Sequence, residues 1–201
     1  MDAVVGYKTW PTALEGESRG GYLLRAAEKN GVSGLAAFGK PFNLTASQML
    51  FLGPEVVVPV MRGVASVLKA TPASWRPSAG SRSLARAGGT MHSRVCPICL
   101  GTDVEPYLRS AWEMPLGCYC EKHRVWLVDQ CACGKSLSFR RQRVAFCDCG
   151  KALARLPTSR VPGWVIRTFE IFIDPSDRAR TCRFAMSEEK ERVAGRLLRA
   201  L

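Results

Sequence analysis

Eight of the nine cysteines in this 201-residue chain lie between positions 96 and 149. A lobe of that size has too little apolar mass to fold securely on its own, so the thiols must help hold it together. They could do so as disulfides or as metal ligands. The opening residues, MDAVVGYKTWPTALEGESRG, show no basic stretch leading into an apolar core, so no secretory leader is expected. No run of eighteen apolar residues predicts a membrane span either. A reducing cytosol is therefore the expected compartment, and there such thiols bind metal or do chemistry.

Spacing sorts the thiols into two ligand sets. The segments CACGKSL and CDCGKAL echo each other, with thirteen residues between Cys133 and Cys147. Each is a tight turn with a glycine directly after its second thiol, which relieves crowding where amides point at sulfur. Cys131, Cys133, Cys147 and Cys149 are thus predicted to form one tetrahedral site. The second set starts at Cys96 and Cys99 of CPIC and is completed downstream by a cysteine with His123. Spacing alone leaves Cys118 and Cys120 as alternatives for that cysteine. His92 is a weaker rival to His123 because it precedes the CPIC knuckle.

Both sets supply four protein ligands and leave no open position, which points to structural rather than catalytic zinc. Neither histidine, His92 or His123, has the neighbouring glutamate that a metalloprotease or deaminase motif requires. A zinc-bearing enzyme is the least favoured class.

The formal charge is +12, from 29 lysines and arginines against 17 acids. Two thiolate-bound zinc ions would lower it only to about +9. A nucleic-acid partner is expected. Candidate contacts are Lys135, Arg140, Arg141, Arg143, Lys151 and Arg155, a run in which Asp148 is the sole acid between positions 135 and 160. Such cations would give salt-sensitive, sequence-independent binding.

Around the cysteines the chain reads as mainly α. Residues 1–71 form an N-terminal helical domain, 72–94 a basic connector, 95–156 a double zinc-binding domain and 157–201 a C-terminal helical segment. Tyr22, Leu23, Ala26 and Ala27 make an apolar stripe on a first helix that Gly31 ends after Asn30. Thr45 and Gln48 have capping-box spacing ahead of a short helix, and a further helix is predicted over 55–69. These short helices fit an HTH-like arrangement or a small bundle, and the lack of a basic recognition helix favours the bundle. Two C-terminal helices are predicted over 162–173 and 187–201, the second capped by Ser187.

The residues CPICLGTDVEPYLRSAWEMPLGCYCEKHRVWLVDQCACGKSL carry a family likeness. They resemble the TniQ/TnsD transposition proteins in CPxCL, then Tyr107, Arg109 and Trp112, then Met114-Pro115-Leu116, then Cys120 with His123. The N-terminal block Pro11, Gly16-Glu17-Ser18, Tyr22, Leu23, Arg25, Ala27 and Asn30-Gly31 is similar too. Arg19 and Gly21 stand where the family usually has Leu and Ser, and the Cys-x-Cys knuckles replace Cys-x-x-Cys. The family pattern Cys-x-x-His makes Cys120 the ligand and leaves Cys118 over. Tyr107, Arg109 and Trp112 are expected to be structural.

The resemblance implies a non-catalytic adaptor of the bacterial cytoplasm. Such a protein would link a chosen DNA target to a AAA+ transposition ATPase, in short members often beside an RNA-guided CRISPR effector with its guide RNA. Glu17 and Arg25 are candidates for an ATPase-binding face, with a cap on the first helix as the alternative for Glu17. The alternative is a zinc-ribbon DNA-binding transcriptional regulator, which shares the charge and the metal sites.

Overall fold

The computed structural model describes residues 7, 9–51, 92–113 and 118–172. The helices predicted over 55–69 and 187–201, nearly all of the connector, Met114-Pro115-Leu116 and Cys182 lie outside the described residues. The described part is mainly helical, with one two-stranded sheet. Among its helices none is long and apolar enough to cross a membrane.

Helix α1 spans Arg19–Lys29. Ser18 caps it, with Oγ accepting from the Gly21 amide at 3.0 Å. Asn30 closes its other end, and Gly31 follows at φ +67°, the left-handed geometry expected after a helix. Asn30 also ties down the N-terminal strand of chain. Its Nδ2 donates to the Thr9 carbonyl at 2.6 Å, and its Oδ1 accepts from the Thr9 amide at 3.1 Å. The Asn-Gly pair of the sequence is therefore both a helix stop and a clamp.

Helices α2, Gly34–Gly39, and α3, Ala46–Phe51, complete a small bundle with α1. The predicted capping box is present. Thr45 Oγ1 accepts from the Gln48 amide at 3.2 Å, and Gln48 Oε1 accepts from the Thr45 amide at 2.8 Å. Leu24, Ala26, Ala27, Leu35, Phe38 and Met49 are completely buried. Tyr7 stacks on Phe38, with ring centroids 4.2 Å apart.

The bundle and the cysteine-rich region share one core, although the sequence placed them in separate domains. The described residues from 7–51 and from 92–161 pack as a single compact unit. Gly20 and Gly21 let α1 approach closely: a Cβ on Gly20 would lie 2.6 Å from the Phe139 ring, and one on Gly21 would lie 2.7 Å from Leu108 Cβ. Ser18 N donates to Leu108 O at 2.7 Å, and Val144 N donates to Glu28 at 3.1 Å. Gly21 suits this tight approach.

The sheet pairs β1, Tyr119–Cys120, with β2, Val125–Trp126, in an antiparallel register that sets Cys120 opposite Val125. Helix α4, Pro97–Thr102, opens the cysteine-rich region. Helix α5, Gly163–Phe172, belongs to a second compact unit.

Candidate metal centres

Cys96, Cys99, Cys120 and His123 come together, as do Cys131, Cys133, Cys147 and Cys149. In each set the ligand atoms lie within 4.8 Å of one another. Local folding explains how they meet. Pro97 sits in the first turn of α4, where its missing N–H is no loss, and the Cys96 sulfur caps the helix by accepting from the Cys99 amide. Cys120 ends β1, and the turn over 121–124 closes with Arg124 N donating to Cys120 O at 2.7 Å. That turn swings His123 Nδ1 over the sulfurs, at 3.5 Å from Cys96, 3.2 Å from Cys99 and 3.7 Å from Cys120.

These spacings suit a tetrahedral ion. Metal–sulfur bonds of about 2.3 Å give S···S edges of about 3.8 Å, and a nitrogen at about 2.0 Å shortens its edges to about 3.5 Å. The Cys99–Cys120 edge is 3.6 Å, the Cys131–Cys149 edge 3.7 Å and the Cys133–Cys147 edge 3.8 Å. Cys118, left open by spacing, is half-buried outside both clusters. His92 is exposed and bridges Ser138.

The chemistry of the thiols calls for a cation. A hydrogen bond to Cys120 raises Cys99 far above the ordinary thiol range, while hydrogen bonds from Cys96 and Cys99 pull Cys120 far below it. One thiolate thus suppresses ionisation of its neighbours, and only a bound cation lets all three ionise together. In the second set burial lifts Cys147 to about 12, while the backbone at Lys135 lowers Cys133 to about 7. The first set is deep, with all three sulfur residues buried. The second is half at the surface, with Cys133 and Cys149 exposed.

The family-like residues around the first centre have structural work. Arg109 meets Asp103 through two contacts of 2.9 Å, and its guanidinium lies over Tyr107 at 4.2 Å and Trp112 at 5.0 Å. The Tyr-x-Arg-x-x-Trp spacing is thus a cation held by two rings and one carboxylate. Asp103 carries no signal in the sequence pattern, although it lies one helical end away from Cys99.

Two expectations for surface residues are overturned. Glu17 and Arg25 were expected on a partner-binding face, yet Glu17 is fully buried and Arg25 is 3 % exposed. Arg25 donates to both Glu17 oxygens, at 2.8 and 2.6 Å, and to Thr12 O at 2.8 Å. Arg141 was expected to contact nucleic acid and is instead 2 % exposed. Its guanidinium serves Ser93 Oγ and the carbonyls of Ser138, Arg143 and Val144, so the loop wraps around its own arginine. Burial lowers its pKa to about 10. Lys135, Arg140, Arg143, Lys151 and Arg155 are exposed, and Arg143 rests on Phe146 at 4.1 Å.

No curated protein matches the chain in sequence. The sequence model of the TniQ family matches residues 9–127, more than half of the chain. That span runs from the strand clamped by Asn30 through the complete first metal centre and both strands of the hairpin. The chain belongs to the TniQ family and is a transposition-associated protein.

Proposed function

We propose that this chain is a non-catalytic adaptor in DNA transposition, linking a recognised target site to a AAA+ transposition ATPase. The family match over residues 9–127 carries the reading. Two structural zinc ions fill the clusters, since closed thiolate-rich tetrahedra suit zinc and leave no position for a reacting water. The N-terminal helices dock protein rather than read DNA as a helix-turn-helix would. Helices α2 and α3, GLAAFG and ASQMLF, carry no charge to meet phosphate. Target choice comes from a separate targeting complex, such as an RNA-guided CRISPR effector. Co-sedimentation of the chain with the element's own ATPase and DNA at low salt tests the link; absence of the chain from the pellet overturns it.

Lys135, Arg140, Arg143, Lys151 and Arg155 supply the sequence-independent nucleic-acid contacts. Lys135→Glu with Arg140→Glu is expected to weaken DNA binding and to flatten the log–log salt slope by about 2, one for each phosphate no longer neutralised. Fluorescence anisotropy across a salt series measures this. An unchanged slope removes these side chains from the interface.

A further inference from the structure

The internal echo provides a comparison within one molecule. Both knuckles close with the same bonds. Cys131 N donates to Lys135 O at 2.8 Å and Gly134 N to Cys131 O at 2.8 Å; Cys147 N donates to Lys151 O at 3.0 Å and Gly150 N to Cys147 O at 2.8 Å. The glycines share one left-handed geometry, φ +85° and +84°. Each turn is flanked by one bridged pair, Gln130 with Ser136 and Phe146 with Ala152.

The flanking chemistry differs. In the first knuckle Gln130 folds back and donates to the Gly134 carbonyl at 2.9 Å. In the second, the equivalent position is Phe146, a half-buried aromatic. The turn itself therefore does not require an aromatic residue. Phe146, Ala152 and Leu156 instead wall a hollow of about 400 Å³ beside the second metal centre. Lys151 and Arg155 line the same hollow and are exposed, with no acid among its described lining residues. Arg143 lies over the Phe146 ring at 4.1 Å, outside the lining of the hollow.

We propose that this hollow holds an unstacked base of a single-stranded nucleic acid, with the adjoining phosphate on Lys151 and Arg155. The inference rests on the nucleic-acid reading above and deepens it. An apolar wall beside cations calls for a ligand that is flat and uncharged at one end and anionic at the other. The volume lies at the small end for ligand pockets and is enough for one base. Duplex bases stay stacked, whereas single-stranded bases are free to turn outward. Lys135 and Arg140 are exposed on the same knuckle region. A chain of phosphates can use such further cations, whereas a lone carboxylate cannot.

Fluorescence anisotropy with three labelled probes tests this on the intact, metal-loaded chain. The probes are a single-stranded oligonucleotide, an abasic strand of equal length and charge, and the matching duplex. The intact strand is expected to bind at least about 5-fold tighter than the abasic one, the lower end of one base–aromatic contact. Phe146→Gln with Ala152→Ser copies the first knuckle, so its turn is already known to fold around these residues. That variant should keep both metal ions and lose the preference for intact over abasic strands. Equal binding of the two strands by the unaltered chain overturns the proposal, as does a preference that survives in the variant. If duplex binding with a normal salt slope persists in either case, the phosphate-contact reading stands while the hollow does not; binding of no probe overturns both. An acidic, tryptophan-bearing peptide that competes for the hollow with no base dependence would reassign it to a protein partner.

Discussion

Removing metal from the two clusters with a chelator is expected to unfold the cysteine-rich region, with the two centres giving way in a fixed order. Apart from the ligand sets, the region is held by the apolar core it shares with the bundle, with little regular structure of its own. Among the described residues, its regular structure after residue 113 and before α5 is a pair of two-residue strands and one short 3₁₀ turn. Structural zinc contributes an apparent ~10–16 kcal/mol to small domains, comparable with the whole stability of an ordinary one at ~5–15 kcal/mol. The packing of the shared core is expected to offset only part of that loss.

The order follows from burial. Cys133 and Cys149 are exposed, so a chelator meets the second centre directly. Cys96, Cys99 and Cys120 lie in the common core beside Val95 and Leu100, and the first centre opens only when that core does. Metal release followed with a chromogenic chelator is expected in two phases of one equivalent each. Near-UV circular dichroism should fall mainly with the slower phase. Cys99→Ser should leave a chain without a cooperative thermal transition, while Cys133→Ser should lose one ion and keep the helical bundle. A chain that keeps its thermal transition after losing both ions would refute the structural role.

How much of this was readable in advance depended on whether a residue's partner is set by local spacing. The knuckles were legible because two thiols one or two residues apart, with Gly134 or Gly150 following, can close in very few ways. The capping box at Thr45 and Gln48 was legible for the same reason, as its bonds span three residues. Arg141 was not. In RRQR three arginines look alike, and what selects one for burial is a set of carbonyls from the loop and a hydroxyl on Ser93, 48 residues earlier. The shared core was hidden too, because Gly20 meets Phe139 and Gly21 meets Leu108 across most of the chain. Phe146 could have been found by setting the two echoes side by side and asking why Gln130 is answered by an aromatic.

The pairing of Glu17 with Arg25 was likewise invisible as burial, and it carries the second large expected effect. Glu17→Gln should lower stability by about 3–5 kcal/mol, because it strands a guanidinium that is 3 % exposed. Burial alone would weaken that charge, and the hydrogen bonds that Arg25 donates to Glu17 more than restore it, holding the Arg25 pKa above its ordinary value. Glu105 also meets Arg25, at 3.1 Å, but it is 37 % exposed and shared with Lys29, so it cannot take over. Arg25→Met should cost a similar amount, since the carboxylate keeps the Leu14 amide at 3.0 Å and loses its cation. For a chain of this size the melting temperature should fall by about 6–20 °C in either variant. Glu17→Met combined with Arg25→Met should cost clearly less than the two single changes together, because neither charge is then left without its counter-ion. Thermal unfolding of the metal-loaded variants measures all of these. Full additivity, or a drop below about 1 kcal/mol in a single variant, would mean that the pair does not act as a buried unit. A pair that served the ATPase directly would behave in the opposite way, with co-sedimentation lost and the melting temperature unmoved.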